Sequence, residues 1–254
     1  MRMIGAAVIV GFLAVASLVS QGQPPRKGRG LEFVLTIEAQ RQPGVQQPSM
    51  GDRFMDALLP DRHAEIDYVT DGNSARKTVH GRLPGLPNGS VTLALAGDNK
   101  QYVLDPAART YYIILPDSAV PDDHAVVTIT PTTVYQPVQG FKARQVGLLV
   151  RETIPTPPGQ RASGNVQTEL RVEGEYWCSE DVPVSDSLTR ILPTIRSARQ
   201  RLTAACSFPL MSRVRYSAMP EYTVVSSVIS LRPSIPSADL FAIPSGYREV
   251  PPPR

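Results

Sequence analysis

Two cysteines and three histidines are the side chains of this sequence best suited to thiol, metal or acid–base chemistry. Cys178 lies in GEYWCSEDVP, Gly174 to Pro183, together with the only tryptophan, Trp177. A catalytic thiol needs access and a lowered pKa. Alternation places Leu170, Val172, Tyr176 and Cys178 on one face, and Arg171, Glu173, Glu175 and Trp177 on the other. Cys178 therefore faces an apolar layer, which suits a structural bridge better than a nucleophile. Cys206 follows 28 residues later. In the chain-entropy model, a Cys178–Cys206 disulfide closing such a loop contributes roughly 3–4 kcal/mol. Two buried free thiols are the alternative, with a nucleophile ranked behind both.

Other chemistry finds little support. His63, His80 and His124 share no H-E-x-x-H spacing. Asp122-Asp123-His124 is the densest metal-like cluster and reads as a solvated turn after Pro121. No G-x-S-x-G elbow activates a serine, and Ser163-Gly164 and Ser245-Gly246 are loop dipeptides. Neither phosphate-cradling glycine motif occurs. Glu173 with Glu175, and Glu180 with Asp181, read as surface charge. Asn88-Gly89-Ser90 matches a glycosylation sequon. The expectation is therefore no metal, no cofactor, no catalytic residue and no enzyme. A hydrolase built from distant carboxylates is the least favoured alternative.

The elements that must position these residues are strands. The 25 prolines argue against a helical protein. Phe33, Leu35 and Ile37 alternate with Glu32, Thr36 and Glu38, as in a strand with one buried face. Gln42 to Arg62 is loop-like, with a short helix around Phe54 to Leu59. Strands at Glu65 to Thr70 and Arg76 to Arg82 flank Asp71-Gly72-Asn73, a hairpin signal. Val91 to Ala96 and Lys100 to Leu104 flank Gly97-Asp98-Asn99, and Asp105 to Arg109 turns into a strand over Thr110 to Leu115. Longer strands follow at Val126 to Tyr135, Lys142 to Thr153 and Thr168 to Cys178, with a Pro- and Gly-rich loop between the last two. Phe208 to Tyr216 and Glu221 to Leu231 complete the series. One helix interrupts it, with Ser185 as N-cap and Leu188, Ile191, Leu192, Ile195 and Leu202 at helical spacing. Pro193 must kink or divide that helix. The fold class is mainly β with one or two helices: a large curved antiparallel sheet or open half-barrel wrapped on a helix, with a β-sandwich as the alternative.

The N-terminus sets the compartment. Arg2 precedes an apolar run from Met3 to Val19, and Ser20 and Gly22 are small enough for a cleavage site, which reads as a signal peptide over residues 1–22. Residues 23–30 form a disordered linker, 31–250 a single β-rich domain, and 251–254 a tail. No other stretch is long and apolar enough to span a bilayer, so the mature protein is expected in the periplasm or secreted, with no transmembrane segment. A net charge of +3, one less after Arg2 is removed, excludes a strong field for nucleic acid.

Four stretches carry a resemblance: QYVLDPAARTYYII (Gln101 to Ile114), PVQGFKARQVGLLV (Pro137 to Val150), GEYWCSEDVP, and LFAIPSGYREV (Leu240 to Val250). In order and spacing they resemble a bacterial family of exported β-rich domains of unknown function. Phe141 replaces its usual tyrosine, and Cys178 after Trp177 is a further departure. The motifs are turn and strand punctuation and carry no catalytic residues. The chain is also similar to the periplasmic lipoprotein-carrier fold of the LolA/LolB type. That resemblance implies a curved sheet around a helix with an apolar cavity between them.

Two functional classes follow. A non-enzymatic envelope carrier would hold a lipid or other apolar small molecule in a cavity lined by Phe33, Leu35, Ile37, Tyr102, Leu104, Leu188, Leu192 and Ile195. An envelope structural or interaction module would instead use the sheet edges and the surface of Arg190, Arg196, Arg199 and Arg201 to bind an anionic partner, such as an envelope protein.

Overall fold

The computed structural model describes residues 30–43, 50–83, 86–115, 125–154, 168–193 and 195–253. The segment expected as signal peptide, most of the expected linker, the Asp122-Asp123-His124 cluster and the loop containing Ser163-Gly164 lie outside the described residues.

Two meanders share one sheet. The first runs outward from the centre as β1 (Gly30–Arg41), β2 (His63–Thr70), β3 (Ala75–His80), β4 (Val91–Ala94), β5 (Gln101–Asp105) and β6 (Thr110–Ile114). The second returns from the far edge as β7 (Ala125–Val138), β8 (Phe141–Ile154), β9 (Thr168–Ser179), β10 (Phe208–Tyr216) and β11 (Tyr222–Ser234). β11 closes antiparallel onto β1, from Gly30 opposite Ser234 to Arg41 opposite Tyr222. A two-residue strand, β12 (Arg248–Glu249), adds parallel to β6. The result is one open, curved, otherwise antiparallel sheet of twelve strands, in the order β12-β6-β5-β4-β3-β2-β1-β11-β10-β9-β8-β7. The β-sandwich alternative is thereby set aside.

Turn chemistry explains the hairpins. Asp71 Oδ1 accepts from the Asn73 and Ser74 amides at 2.8 and 2.7 Å, while Gly72 supplies a φ of +93°. Gln139 and Gly140 both take positive φ between β7 and β8.

Strand parity defines an inner face. Phe33, Tyr68 and Lys77 stand directly opposite one another on β1, β2 and β3, so their side chains share it. The segment between β9 and β10 covers this face. Pro193 divides the segment into α2 (Asp186–Ile191) and, after a 3₁₀ turn at Arg196–Ala198, α3 (Arg199–Ala205). The Ser185 hydroxyl caps α2 by accepting from the Leu188 amide at 3.2 Å. Both helices are too short to be stable alone, so packing must hold them. Leu188, Ile191 and Leu192 pack with Phe33, Leu35 and Tyr68. Ala198 and Leu202 pack with Val146, Val150, Tyr176 and Val214. A third helix, α1 (Met50–Leu58), brings Met55 against Ala64, Met219 and Tyr222 at one end of the sheet.

The other face is covered at one end by the C-terminal segment. Ile243 and Tyr247 pack on Val91, Leu93 and Leu104. A 3₁₀ turn, Ala238–Phe241, sits nearby, and Arg76 Nη1 donates to the Leu240 carbonyl at 3.2 Å.

Candidate functional site

Cys178 and Cys206 form a disulfide, with their Cα atoms 5.2 Å apart. Both residues are buried among Tyr176, Ala198 and Leu202. The bridge ties the end of α3 to β9, so the helical layer is anchored at that point.

The eight residues expected to line one cavity separate into three groups. Phe33, Leu35, Leu188 and Leu192 meet on the inner face, and Ile37 packs partly buried against them. Ile195 joins the neighbouring group around Leu202. Tyr102 and Leu104 fall on the opposite face, with Val91 and Leu93. The reason is parity. Thr92 and Val103 carry the Lys77 row onward through β4 and β5, so Leu104 and Tyr102 alternate out of it.

Where the group converges, the chain break at Pro193 leaves a hollow. Phe33, Leu35, Tyr176, Leu192, Pro193, Pro209, Met211, Ser212 and Ser226 line it, and the space inside is about 20 Å³. That admits about one water molecule and no lipid chain. A smaller hollow, about 10 Å³, lies on the other side of Leu192 against Leu202, Cys206 and Pro209. The floor of the first is polar at one point, where the Ser212 and Ser226 hydroxyls lie 2.7 Å apart. Gly174 shapes its wall, because a Cβ there would stand 2.8 Å from the Tyr176 ring. Burial raises the pKa of both Tyr68 and Tyr176, so each is a neutral phenol. The Tyr68 hydroxyl reaches the Ile191 carbonyl at 3.5 Å, and its ring stacks on Phe33 with centroids 4.5 Å apart.

The arginines do not form one outward surface. Arg190 Nη2 donates to the Leu95 carbonyl at 3.1 Å and to Ser187 Oγ at 3.1 Å, and Nη1 to the Asp98 and Lys100 carbonyls. It pins α2 to the β4–β5 turn. Arg201 Nη1 donates to the Val127 carbonyl of edge strand β7 at 2.7 Å. Arg199 begins α3, and its charge acts on Lys77. The Arg196 side chain lies outside the described residues.

Sequence reasoning did not single out Lys77, Ser212 or Ser226. Lys77 was legible in principle, as a charge at the apolar parity between Ala75 and Val79, both fully buried. Burial foremost, and then the Arg199 charge, lower its pKa to about 8. The described residues contain no group of three or more metal-ligating side chains, and no described helix is long and apolar enough to cross a membrane.

No family model matches the chain, and no curated protein matches it. Partial structural likenesses exist. One is to an uncharacterized conserved protein from Thermus thermophilus, at TM-score 0.41 and 10% identity, covering 89% of this chain and 91% of that one. A second is to PNGF-II, at TM-score 0.41 and 12% identity, covering 88% of this chain but only 31% of that one. A third is to a LolA-superfamily protein from Nitrosomonas europaea, at TM-score 0.33 and 8% identity, covering 86% and 92%. Scores this low carry neither a mechanism nor a ligand to this chain.

Proposed function

We propose that this chain is an exported, non-enzymatic binding or carrier protein that holds an apolar ligand between the inner face of its sheet and the α2–α3 layer. The observation that carries the reading is the hollow beneath the Pro193 break, the point where two short helices cover an apolar sheet face without meeting. Its present volume fits the closed, empty state. Ligand entry requires the cover to lift at Pro193, where helical hydrogen bonding is interrupted. The cover is held by tertiary contacts rather than by its own helicity. Arg190 holds it to the β4–β5 turn before the break, and the disulfide at Cys206 holds it to β9 after the break.

Trp177 provides the test. It is the only tryptophan, is 7% exposed, and belongs to the same packed group as Phe33, Leu35 and Leu192. A dibrominated fatty acid titrated into the folded protein should quench its emission saturably, whereas free bromide should not. The Leu192→Trp variant adds bulk in the hollow and should lose fatty-acid uptake while keeping its circular dichroism. Absence of saturable quenching in the wild-type protein would remove the reading.

A further inference from the structure

The floor of the hollow holds a hydroxyl hydrogen with no acceptor. Ser212 and Ser226 stand directly opposite one another on β10 and β11, in a row that runs Ile37, Ser226, Ser212, Tyr176 across four strands. Both hydroxyls therefore turn to the inner face, with their oxygens 2.7 Å apart. Ser212 is 6% exposed and Ser226 is half-buried. Each hydroxyl carries one hydrogen. Whichever serine donates across the pair, the other keeps a hydrogen that the pair cannot use. Among the described residues neither hydroxyl has a second hydrogen-bond partner. Apart from Tyr176, the other lining side chains, Phe33, Leu35, Leu192, Pro193, Pro209 and Met211, carry no oxygen. A buried donor left without an acceptor costs free energy that an incoming acceptor recovers.

The sheet also forks at this place. β10 pairs with β11 only from Met211 opposite Ser227 to Val214 opposite Val224. β11 nevertheless stays on β1 as far as Ser234, and β10 stays on β9 back to Phe208. Beyond Met211 and Ser227 the two strands part, and Pro209 and Met211 on the β10 arm line the hollow. The hydroxyl pair stands one residue inside the point of parting.

We infer that Ser212 and Ser226 form the recognition point for an acyl carbonyl, so that the ligand is a fatty acid or a fatty acyl ester whose chain lies under the Pro193 break. The inference rests on the carrier reading above and adds the chemical class of the ligand. A carbonyl oxygen accepts the spare hydrogen and brings none of its own, so it completes the pair without leaving another group unmatched.

Calorimetric titration of methyl octanoate, octanoate and 1-chlorooctane into the disulfide-bonded protein tests this. Methyl octanoate should bind about five- to tenfold more tightly than 1-chlorooctane, which has no carbonyl, the factor expected of one hydrogen bond. The hydrogen count makes a sharper demand. Ser212→Ala or Ser226→Ala alone leaves one hydroxyl with its hydrogen free, so each should keep most of the preference. The double variant should lose it while binding 1-chlorooctane as before, and it should fold, because removing both members of a pair leaves neither unmatched. With an isotope-labelled carbonyl, the bound ester's infrared stretch should fall in frequency in the wild-type protein and not in the double variant. Octanoate separates the sources: tighter binding than the ester supports the site as one for a free fatty acid, and weaker binding supports it as one for an acyl ester. Equal affinity for methyl octanoate and 1-chlorooctane, unchanged in the double variant, would overturn the carbonyl site and leave the carrier reading standing. No binding of any of the three would overturn both.

Discussion

Lys77 makes a claim at the scale of one residue that does not depend on any ligand. Its folded pKa, about 8, lies below the lysine value of 10.5, so the unfolded chain binds a proton more readily than the folded one. Stability must then rise with pH between about 8 and 10.5, because the unfolded state carries the extra proton there. Below pH 8 the full penalty applies. Lys77→Met is expected to stabilise the protein by about 1–2 kcal/mol at pH 7, after allowing for partial exposure, and to abolish that rise. Urea midpoints measured from pH 7 to 10.5 check both, and superimposable profiles for the two proteins would refute the assignment. Arg190 gives the opposite sign. Its guanidinium serves carbonyls of Leu95, Asp98 and Lys100, so Arg190→Ala should cost about 2–3 kcal/mol. Hydrogen exchange should quicken first in β4 and β5, and unchanged exchange there would show that the contact does not hold α2 down.

Among the elements, the segment between β9 and β10 was the most legible in advance. Ser185 as cap and Pro193 as divider are local signals realised in the structure, and of the apolar series Leu188 and Ile191 fall in α2 and Leu202 in α3, while Leu192 and Ile195 lie between the helices. The Cys178–Cys206 bridge, expected for two cysteines in an exported chain with Cys178 facing the apolar layer, is present. Which strand residues share the inner face was harder. Parity within β5 was readable, but its relation to β1 passes through four loops, and one residue more or less in any of them exchanges the faces. Tyr102 and Leu104 landed opposite Phe33 for that reason. Lys77 looked like an ordinary strand charge because its local signal, Ala75 and Val79 at the same parity, is only two residues of a six-residue strand. The double variant Cys178→Ser, Cys206→Ser should lose about 3–4 kcal/mol, as a 28-residue loop implies, read from urea denaturation monitored at Trp177. A loss below about 1 kcal/mol would mean that packing alone fixes α3. The exposed edge, β7, is blunted in three ways: by Pro131 and Pro137, by an irregularity between Pro131 and Tyr135, and by Arg201 on the Val127 carbonyl. An edge so defended is a poor template for strand addition, which counts against the interaction-module reading.

At the scale of the molecule, the first and last long strands lie side by side at the centre of the sheet, so the two meanders are joined by pairings between residues as far apart as Gly30 and Ser234. No sequence signal announces such a pairing. It is a consequence of which edges remain after the local hairpins form. Because the helical layer packs on both halves, neither half buries its inner face alone. Unfolding should therefore be a single transition, with far-ultraviolet dichroism and Trp177 fluorescence coincident in urea, and two separated transitions would show that the halves are independent. The same architecture presents one broad apolar face covered by a helical layer that is broken at Pro193. The most direct measurement is a native mass spectrum of the disulfide-bonded protein, purified gently from cells that produce it and repeated after denaturation. The carrier account predicts an adduct of amphiphile mass that disappears on denaturation. A bare mass, persisting after incubation with decanoate, would contradict it.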